Sequence, residues 1–218
     1  MRTKTERLAL WGAVSVLGFM GVGGAGLARN TVRDPRALSP SAVPATTTDS
    51  TQQALQATRA DLLLARLEIE RTEAILGYST RYRIDADLAT TIYDLALAEG
   101  VEPALAFSLV RTESNFTPTA QSPAGAIGYT QILLSTARLY EPGLTARQLY
   151  GRTTNLHLGF RYLRDLLERY EGTSEPRLEL ALLAYNRGPA RVQALLAAGR
   201  DPRNGYSTTV LKRYRKRG

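Results

Sequence analysis

The sequence holds one carboxyl in a place suited to acid catalysis, that of Glu113. Ala106, Val110 and Glu113 follow at i, i+4 and i+7, so a helix puts this carboxyl on the same face as apolar residues. Phe116 and Pro118 predict that the helix ends just after Glu113, because the residue before a proline avoids the α conformation. Burial and the negative end of the helix macrodipole both favour the protonated carboxyl. The pattern therefore predicts a partly buried carboxyl with a raised pKa, able to donate a proton.

Two further turns of the chain carry polar side chains. Residues 122–131, SPAGAIGYTQ, contain two glycines that permit close backbone approach, and they end in Gln131, whose amide both donates and accepts hydrogen bonds. Residues 184–189, AYNRGP, end a helical pattern with Tyr185 and Asn186 before a Gly-Pro stop. Taken alone, Gln131 could cap the next helix and Tyr185 could be a core tyrosine. Their interest lies in their combination with Glu113.

The composition argues against several classes of site. The chain has no cysteine and one histidine, so thiolate nucleophiles, disulfides and Cys/His metal clusters are not expected. A Ser-His-Asp triad would have to use His157, whose neighbours Leu156 and Leu158 are typical of a structural or surface histidine in a helix. We therefore expect an activity that needs no metal and no other cofactor.

The formal net charge of +8 is concentrated at the ends of the chain. Between Asp85 and Arg203 there are 12 basic and 13 acidic side chains, a net charge of −1. A domain without a basic excess gives little support to nucleic-acid binding, so no nucleic-acid partner is expected. Residues 207–218 form a basic C-terminal tail, which we interpret as a solvated end.

The N-terminal segment has the pattern of an export signal. Residues 8–28 are 21 residues without a charge behind a basic start, and as a helix they would span about 31 Å, close to one hydrocarbon core. Residues 26–28, Gly-Leu-Ala, also resemble a cleavage site, which leaves signal peptide and signal anchor both open for residues 1–28. We expect the chain on the periplasmic side of the cell envelope, anchored in the inner membrane or released after cleavage near Ala28.

A linker and an amphipathic helix follow. Residues 29–50, with three prolines among Ser, Thr and Ala, predict a flexible linker. In residues 51–80 large apolar side chains recur every seven positions: Leu55, Leu62, Ile69 and Leu76. The residues between them make a poor coiled-coil seam. We interpret this helix as docked on its own domain, or as a stalk able to join an envelope complex, rather than as a strong dimer.

Residues 81–206 are helical in pattern almost throughout, starting from Asp85 as a capping acid. The predicted helices are 85–99, 103–114, 131–140, 153–170, 178–185 and 190–198. No segment alternates convincingly with period two, and residues 115–129 form one long irregular connection. We predict an all-α domain of seven or eight short helices.

Four blocks of this sequence together resemble the lytic transglycosylases of the soluble-lytic-transglycosylase (SLT) type in their order and spacing. The blocks are ESNF at 113–116, SPAGAIGYTQ at 122–131, NLHLGFRYL at 155–163 and AYNRGP at 184–189. The resemblance implies a lysozyme-like, SLT-type α domain over residues 81–206 that binds peptidoglycan glycan strands and cleaves the MurNAc-β-1,4-GlcNAc bond. Carried over by position, it implies Glu113 as the catalytic acid.

The resemblance also implies substrate-binding residues: Ser114, Tyr129, Gln131, Tyr185 and Asn186. The chain departs from the family pattern at Tyr129-Thr130, where Leu-Met is frequent, and at Arg187 and Ala190, where small residues are common. These departures concern contacts with the substrate and leave the acid in place.

A single acid also fits the chemistry. Ordinary glycosidases use two carboxylates roughly 5 to 9.5 Å apart, and the acids nearest in sequence, Glu99, Glu102 and Glu141, stand at predicted helix ends. In the mechanism that the resemblance implies, the substrate's N-acetyl group stabilises C1 and the C6 hydroxyl closes a 1,6-anhydro ring. Two alternatives remain open: a goose-type muramidase that admits water, and an inactive peptidoglycan-binding envelope protein.

Overall fold

The computed structural model describes residues 45–172 and 176–215, and within them the fold is built from nine helices and one short hairpin. The helices are α1 Ala45–Tyr82, α2 Ala86–Ala98, α3 Pro103–Glu113, α4 Leu134–Ala137, α5 Ala146–Leu149, α6 Arg152–Arg169, α7 Arg177–Arg187, α8 Pro189–Ala197 and α9 Tyr206–Arg215. The strands are β1 Ala126–Ile127 and β2 Ile132–Leu133. The prediction of an all-α fold is confirmed. The predicted signal segment and most of the predicted linker lie outside the described residues.

Helix α3 lies at the centre of the domain. Its residues from Ala104 to Val110 are all buried, as expected of a helix that is apolar on every side. Helices α2 and α9 pack against it, and α6 packs in turn against α2 and α7. Pro103 occupies the first helical position, where its missing N–H leaves no bond unmade. The most buried helix of the fold therefore ends at Glu113, as the sequence predicts.

Helix α1 joins this core only near its C-terminal end. Ile75 is buried, and the Tyr78 ring stacks on Phe107 of α3 with ring centroids 4.1 Å apart. Earlier leucines such as Leu62 remain largely exposed. The helix starts at Ala45, before the predicted start at residue 51, so the last residues assigned to the linker are helical. Among the described residues, none of the helices combines the length and the apolar character needed to cross a bilayer.

The predicted helix over residues 131–140 is wrong at its start, residues 131–133. Strand β2 pairs there with β1 in antiparallel register, with Ala126 opposite Leu133 and Ile127 opposite Ile132. A tight turn at Gly128 and Gln131, both with positive φ, connects the strands. Helix α4 then provides only one turn. Each strand has two residues, too few to reveal a period of two in the sequence.

The solvated tail expected after residue 206 is also wrong for residues 207–215, which belong to α9. Ser207 and Val210 are fully buried against the domain. A second, smaller correction concerns Asp85, which holds the N-cap position of α2 without a side-chain capping hydrogen bond.

Candidate active site

Glu113 is the last residue of α3, and the hydroxyl of Tyr206 donates a hydrogen bond to its Oε1 atom. Burial raises the pKa of the Glu113 carboxyl from 4.5 to about 7, against the smaller lowering effect of the Tyr206 hydrogen bond. The direction predicted from the sequence is therefore confirmed. Near neutral pH this carboxyl exists in both protonation states, which suits a group that must give and then take a proton.

A second tyrosine shares this environment. Burial raises the pKa of the Tyr185 hydroxyl well above its ordinary range, and the nearby charge of Glu113 adds to the effect. The Tyr206 hydroxyl is shifted in the same direction by burial and then by Glu113. Both phenols thus stay protonated at any physiological pH and act only as neutral hydrogen-bonding groups beside the acid.

The loop that follows α3 is tied to the site by backbone carbonyls. Ser114 Oγ donates to the carbonyl of Tyr129 at 2.8 Å, and the Tyr185 hydroxyl donates to that of Thr130 at 2.9 Å. Gln131 Nε2 donates to the carbonyls of Ala120 and Gly128 at 3.0 and 2.9 Å. The two donor hydrogens of this amide are thus used within the loop, so a ligand would meet Gln131 through its acceptor, Oε1.

Asn155 holds the hairpin against α6. Its Oδ1 accepts from both the backbone N–H and the hydroxyl of Thr130 at 2.9 Å, and its Nδ2 donates to the carbonyls of Ile127 and Leu149 at 2.8 and 3.1 Å. The contact is so close that a Cβ added to Gly159 would lie 2.4 Å from the Thr130 side chain. This explains the departure at Thr130, whose hydroxyl serves the hairpin and is fully buried.

The structure brings some of the predicted site residues together and separates others. Glu113, Tyr185 and the loop ending in Gln131 lie together, and Ser114 holds that loop through its bond to the Tyr129 carbonyl. Tyr129 is only 4% exposed and packs in the main core cluster. Asn186 is exposed, and its Oδ1 accepts from Asn204 Nδ2 at 2.8 Å.

The end of α7 also fixes the segment that leads into α9. Arg187 Nη1 donates to the carbonyl of Pro202 at 2.9 Å, next to the Asn186–Asn204 bond. Arg187, a departure from the family pattern, therefore ties the end of α7 to the segment that precedes Tyr206. Sequence reasoning missed Tyr206. The signal that could have found it is the i, i+4, i+8 spacing of Tyr206, Val210 and Tyr214 within the basic tail.

Of the other carboxylates considered from the sequence, Glu99 and Glu102 have partners elsewhere and Glu141 is exposed. Glu99 pairs with Arg164 Nη1 at 2.6 Å and with His157 Nε2 at 2.7 Å, which gives the single histidine a structural contact. Glu102 accepts a hydrogen bond from the Tyr214 hydroxyl. Within residues 45–172 and 176–215, no cluster of three or more His, Asp or Glu side chains could hold a metal ion. The arrangement can thus exchange a proton at one buried carboxyl, which accepts a hydrogen bond from the neutral Tyr206 hydroxyl.

Comparison with known proteins points in the same direction. Residues 90–203 match the transglycosylase SLT domain family. The chain is 34% identical over 103 residues to the soluble lytic murein transglycosylase of Escherichia coli K12, which covers 44% of this chain and 15% of the relative. It is 32% identical over 108 residues to the membrane-bound lytic murein transglycosylase C of Actinobacillus pleuropneumoniae, covering 45% and 30%. It is also 34% identical over 88 residues to a transglycosylase of Enterobacteria phage PRD1, covering 40% and 30%.

Solved structures show the same fold. The 70 kDa soluble lytic transglycosylase of Escherichia coli superposes with a TM-score of 0.50 at 24% identity, covering 63% of this chain and 24% of that chain. A complex of the 70 kDa soluble lytic transglycosylase with bulgecin A gives a TM-score of 0.51 at 25% identity, with the same coverage. These likenesses support the lysozyme-like, SLT-type fold expected from the sequence. The chain spans less than a third of the length of each of these relatives.

Proposed function

Since this chain belongs to the transglycosylase SLT domain family, we propose that it is a peptidoglycan lytic transglycosylase which cleaves the MurNAc-β-1,4-GlcNAc bond. The observation that carries the proposal is the position of Glu113. Its carboxyl ends the most buried helix, has a pKa of about 7, and is held by a neutral tyrosine donor. The combination supplies the acid that glycosidic bond cleavage needs.

In the first step, protonated Glu113 gives its proton to the glycosidic oxygen as the bond between that oxygen and C1 breaks. The N-acetyl oxygen of the MurNAc residue that carries C1 stabilises the positive charge that develops there. The resulting carboxylate accepts the hydrogen bond of Tyr206, which stabilises the ionised form until the second step.

In the second step, the Glu113 carboxylate takes the proton of the C6 hydroxyl as O6 forms a bond to C1. A 1,6-anhydroMurNAc end is released and Glu113 is protonated again, so that no water is consumed. The C6 hydroxyl has the advantage of proximity, because the sugar ring holds it near C1 at high effective concentration. The route requires no metal and no other cofactor.

The surroundings of Glu113 support a mechanism with one carboxyl. Within the described residues, burial and Tyr206 account for the shifted pKa of Glu113, without a contribution from a second acid. Glu99 and Glu102, which are near in sequence, are engaged with Arg164, His157 and Tyr214. An ordinary two-carboxylate glycosidase would need another acid roughly 5 to 9.5 Å away.

We assign substrate binding to Ser114, Tyr129, Gln131, Tyr185 and Asn186, with different parts for each. Tyr185 and the Gln131 acceptor would contact the sugar directly, and Asn186 would do so from the exposed end of α7. Ser114 and Tyr129 would act by shaping the loop, since the Ser114 hydroxyl bonds the Tyr129 carbonyl and the Tyr129 ring is in the core.

The deciding experiment digests purified peptidoglycan with the full chain and with Glu113→Gln, using Glu141→Gln, an exposed acid outside the site, as the matched control. The amide keeps the shape of Glu113 but cannot donate the proton. We therefore expect the activity to fall by at least about 100-fold in Glu113→Gln and to be unchanged in Glu141→Gln. Wild-type turnover by Glu113→Gln would refute the assignment. A wild-type chain that binds peptidoglycan without cleaving it would identify an inactive binding protein.

Product mass distinguishes the transglycosylase from a goose-type muramidase. Anhydromuropeptides are lighter by one water and resist borohydride, whereas hydrolysis leaves a reducing muramic acid end. We expect anhydromuropeptides to dominate. A majority of reducing ends would assign the chain to the hydrolases and would require a positioned water or a second carboxylate.

We propose that the chain works in the cell envelope. The support is the apolar run at residues 8–28 behind a basic start, which fits either an inner-membrane anchor or a signal cleaved near Ala28. The exposed leucines of α1 support a stalk through which residues 51–76 could join an envelope complex. Fractionation and N-terminal sequencing of the protein from cells would test export and cleavage.

A further inference from the structure

A cleft lined by arginines opens beside the C-terminal end of α3. Its volume is about 570 Å³. It is lined by Arg81, Tyr82, Arg83, Ile84, Arg111, Asn115, Phe116 and Arg213. Three elements contribute, namely the end of α1, the end of α3 and the helix α9. Three of the four arginines, Arg81, Arg83 and Arg213, lie outside residues 90–203, the segment that matches the family.

The four guanidinium groups of this arginine cleft have no carboxylate to balance them. The lining contains no acidic residue, and within the part of the chain that the structure describes none of the four lies within 4.0 Å of a carboxylate oxygen. Other arginines of the fold behave differently: Arg71, for example, reaches Asp94 at 2.6 Å. Like charges in one concave space favour an anionic ligand that would neutralise them.

Arg83 occupies a backbone position that glycine would fill at lower energy. It follows α1 with φ 55°, and the hydrogen bonds Ile84 N–H to Ser79 O at 3.1 Å and Arg83 N–H to Thr80 O at 3.4 Å close a Schellman turn around it. Glycine is the usual residue at this left-handed position. The site therefore allows the guanidinium to be removed by Arg83→Gly without weakening the turn.

The arginine cleft and the candidate acid share the C-terminal end of α3. Arg111 and Asn115 each stand two residues from Glu113 along the chain. Arg213 lies seven residues beyond Tyr206, on the same face of α9 and about 10 Å further along the helix axis. A substituent of the sugar bound at Glu113 could span this distance with roughly three extended residues.

We propose that the arginine cleft binds the carboxylates of the stem peptides that muramic acid carries, and so favours peptide-bearing glycan strands. The inference rests on the proposed function. Guanidinium groups suit this task because their planar donors match a carboxylate in pairs. Tyr82 and Phe116, with ring centroids 5.2 Å apart, supply an apolar wall for the alanine methyl groups of such a peptide.

Two ligands that differ only in charge provide the test. One is the disaccharide GlcNAc-MurNAc with a tripeptide stem ending in free carboxylates, and the other is the same compound with those carboxylates converted to amides. Neither contains the MurNAc-GlcNAc bond, so the full wild-type chain can be titrated with both by calorimetry. We expect the carboxylate form to bind about tenfold more tightly, with a difference that shrinks as salt is added.

Arg83→Gly and Arg81→Ala should each remove most of this difference and leave binding of the amide form unchanged. Arg59→Ala, an exposed arginine of the same helix outside the cleft, should have no effect. The melting temperature of Arg83→Gly should not fall, which separates loss of the charge from loss of the fold. Equal binding of the two ligands by the wild type, or a difference that survives in Arg83→Gly and Arg81→Ala, would overturn the proposal.

Two parallel measurements separate this inference from its rivals. Sedimentation with phosphatidylglycerol vesicles tests whether the cleft binds a lipid headgroup. If the arginines are needed for binding to vesicles but not for binding to the peptide carboxylates, the proposal is overturned. Cleavage of peptide-free glycan strands depends on Glu113 and not on the cleft. If Arg83→Gly and Arg81→Ala cleave peptide-bearing strands as fast as the wild type does, the inference alone is refuted. A wild type that leaves whole peptidoglycan intact would refute the proposed function and leave the titration to decide on the cleft.

Discussion

Burial and the hydrogen bond from Tyr206 have opposite effects on the pKa of Glu113, and a single substitution of Tyr206 removes the second. Burial raises this pKa to about 7, and the Tyr206 hydrogen bond lowers it because it stabilises the carboxylate. In Tyr206→Phe the pKa should therefore rise further. Because the first step needs protonated Glu113, the decline of kcat/KM with rising pH should begin near 7 in the wild type and at higher pH in the variant.

The rate of Tyr206→Phe should also fall by about tenfold or more at the optimum, because the carboxyl is no longer held in one orientation. Tyr214→Phe is the matched control, since this tyrosine of the same helix donates to Glu102. Its pH profile should coincide with that of the wild type. A shift of the Tyr206→Phe profile to lower pH would show that the hydrogen bond does not stabilise the carboxylate.

The buried carboxyl should also make stability depend on pH. In the unfolded chain Glu113 should titrate near its ordinary value of 4.5, and in the folded protein near 7. The folded state thus binds the proton more strongly, so that stability is lost as the pH rises from 4.5 to 7. Glu113→Gln removes this titration and should stabilise the protein by up to about 3 kcal/mol at pH 8, but little at pH 4.

Urea unfolding of both proteins at the two pH values measures this difference. Glu141→Gln, an exposed acid, should follow the wild type throughout. A constant offset between Glu113→Gln and the wild type at both pH values would mean that the carboxyl is solvated. The same comparison shows why an active site of this kind costs stability, because the group that the chemistry needs is the one that folding disfavours.

The hairpin depends on its close approach to α6. A Cβ on Gly159 would lie 2.4 Å from Thr130, whose backbone carries the Tyr185 contact. Gly159→Ala should therefore lower the free energy of unfolding by about 2 kcal/mol or more, because backbone must move apart. Gly77→Ala, within α1 and with nothing inside 4 Å, should instead stabilise by about 0.5 to 1 kcal/mol. Similar effects of the two substitutions in a melting experiment would refute the close approach.

Elements with a strong apolar period could be predicted, and elements held by single contacts could not. The predicted ends of α3, α6 and α8 agree with the structure to within a residue or two. The hairpin could not be predicted because its strands are two residues long and are held by Asn155, a buried amide in α6. Helix α9 could not be predicted because its many basic residues indicate a solvated tail and outnumber the stripe formed by Tyr206, Val210 and Tyr214.

The same limit applies to the candidate site. Glu113 and its raised pKa could be inferred because the helix period and the helix end are local properties. The partner of its carboxyl could not, because Tyr206 lies 93 residues away and reaches Glu113 only once α9 packs on α3. Tyr129, expected at the substrate, packs instead in the main core cluster, a long-range contact that the local sequence does not reveal.

Only the C-terminal part of α1 belongs to the packed domain. Thr51–Gly218 form one compact unit, but α1 contacts its core through only a few residues. The Tyr78 ring stacks on Phe107 at 4.1 Å, and the end of α1 and the turn after it provide two arginines of the arginine cleft, Arg81 and Arg83. The last turns of α1 therefore belong to the domain, while the earlier turns project their leucines into solvent.

This division predicts opposite responses along one helix. Tyr78→Ala should lower the free energy of unfolding by about 3 kcal/mol, because it removes a stacked ring from the face of α3. Leu62→Ala should change it by no more than about 0.5 kcal/mol, since the Leu62 side chain is 70% exposed. Denaturant unfolding of the full chain, followed by circular dichroism, measures both. A large effect of Leu62→Ala that weakens on dilution would show that another copy of the chain covers the exposed turns. In a monomer Leu62 buries too little surface for its removal to change stability that much.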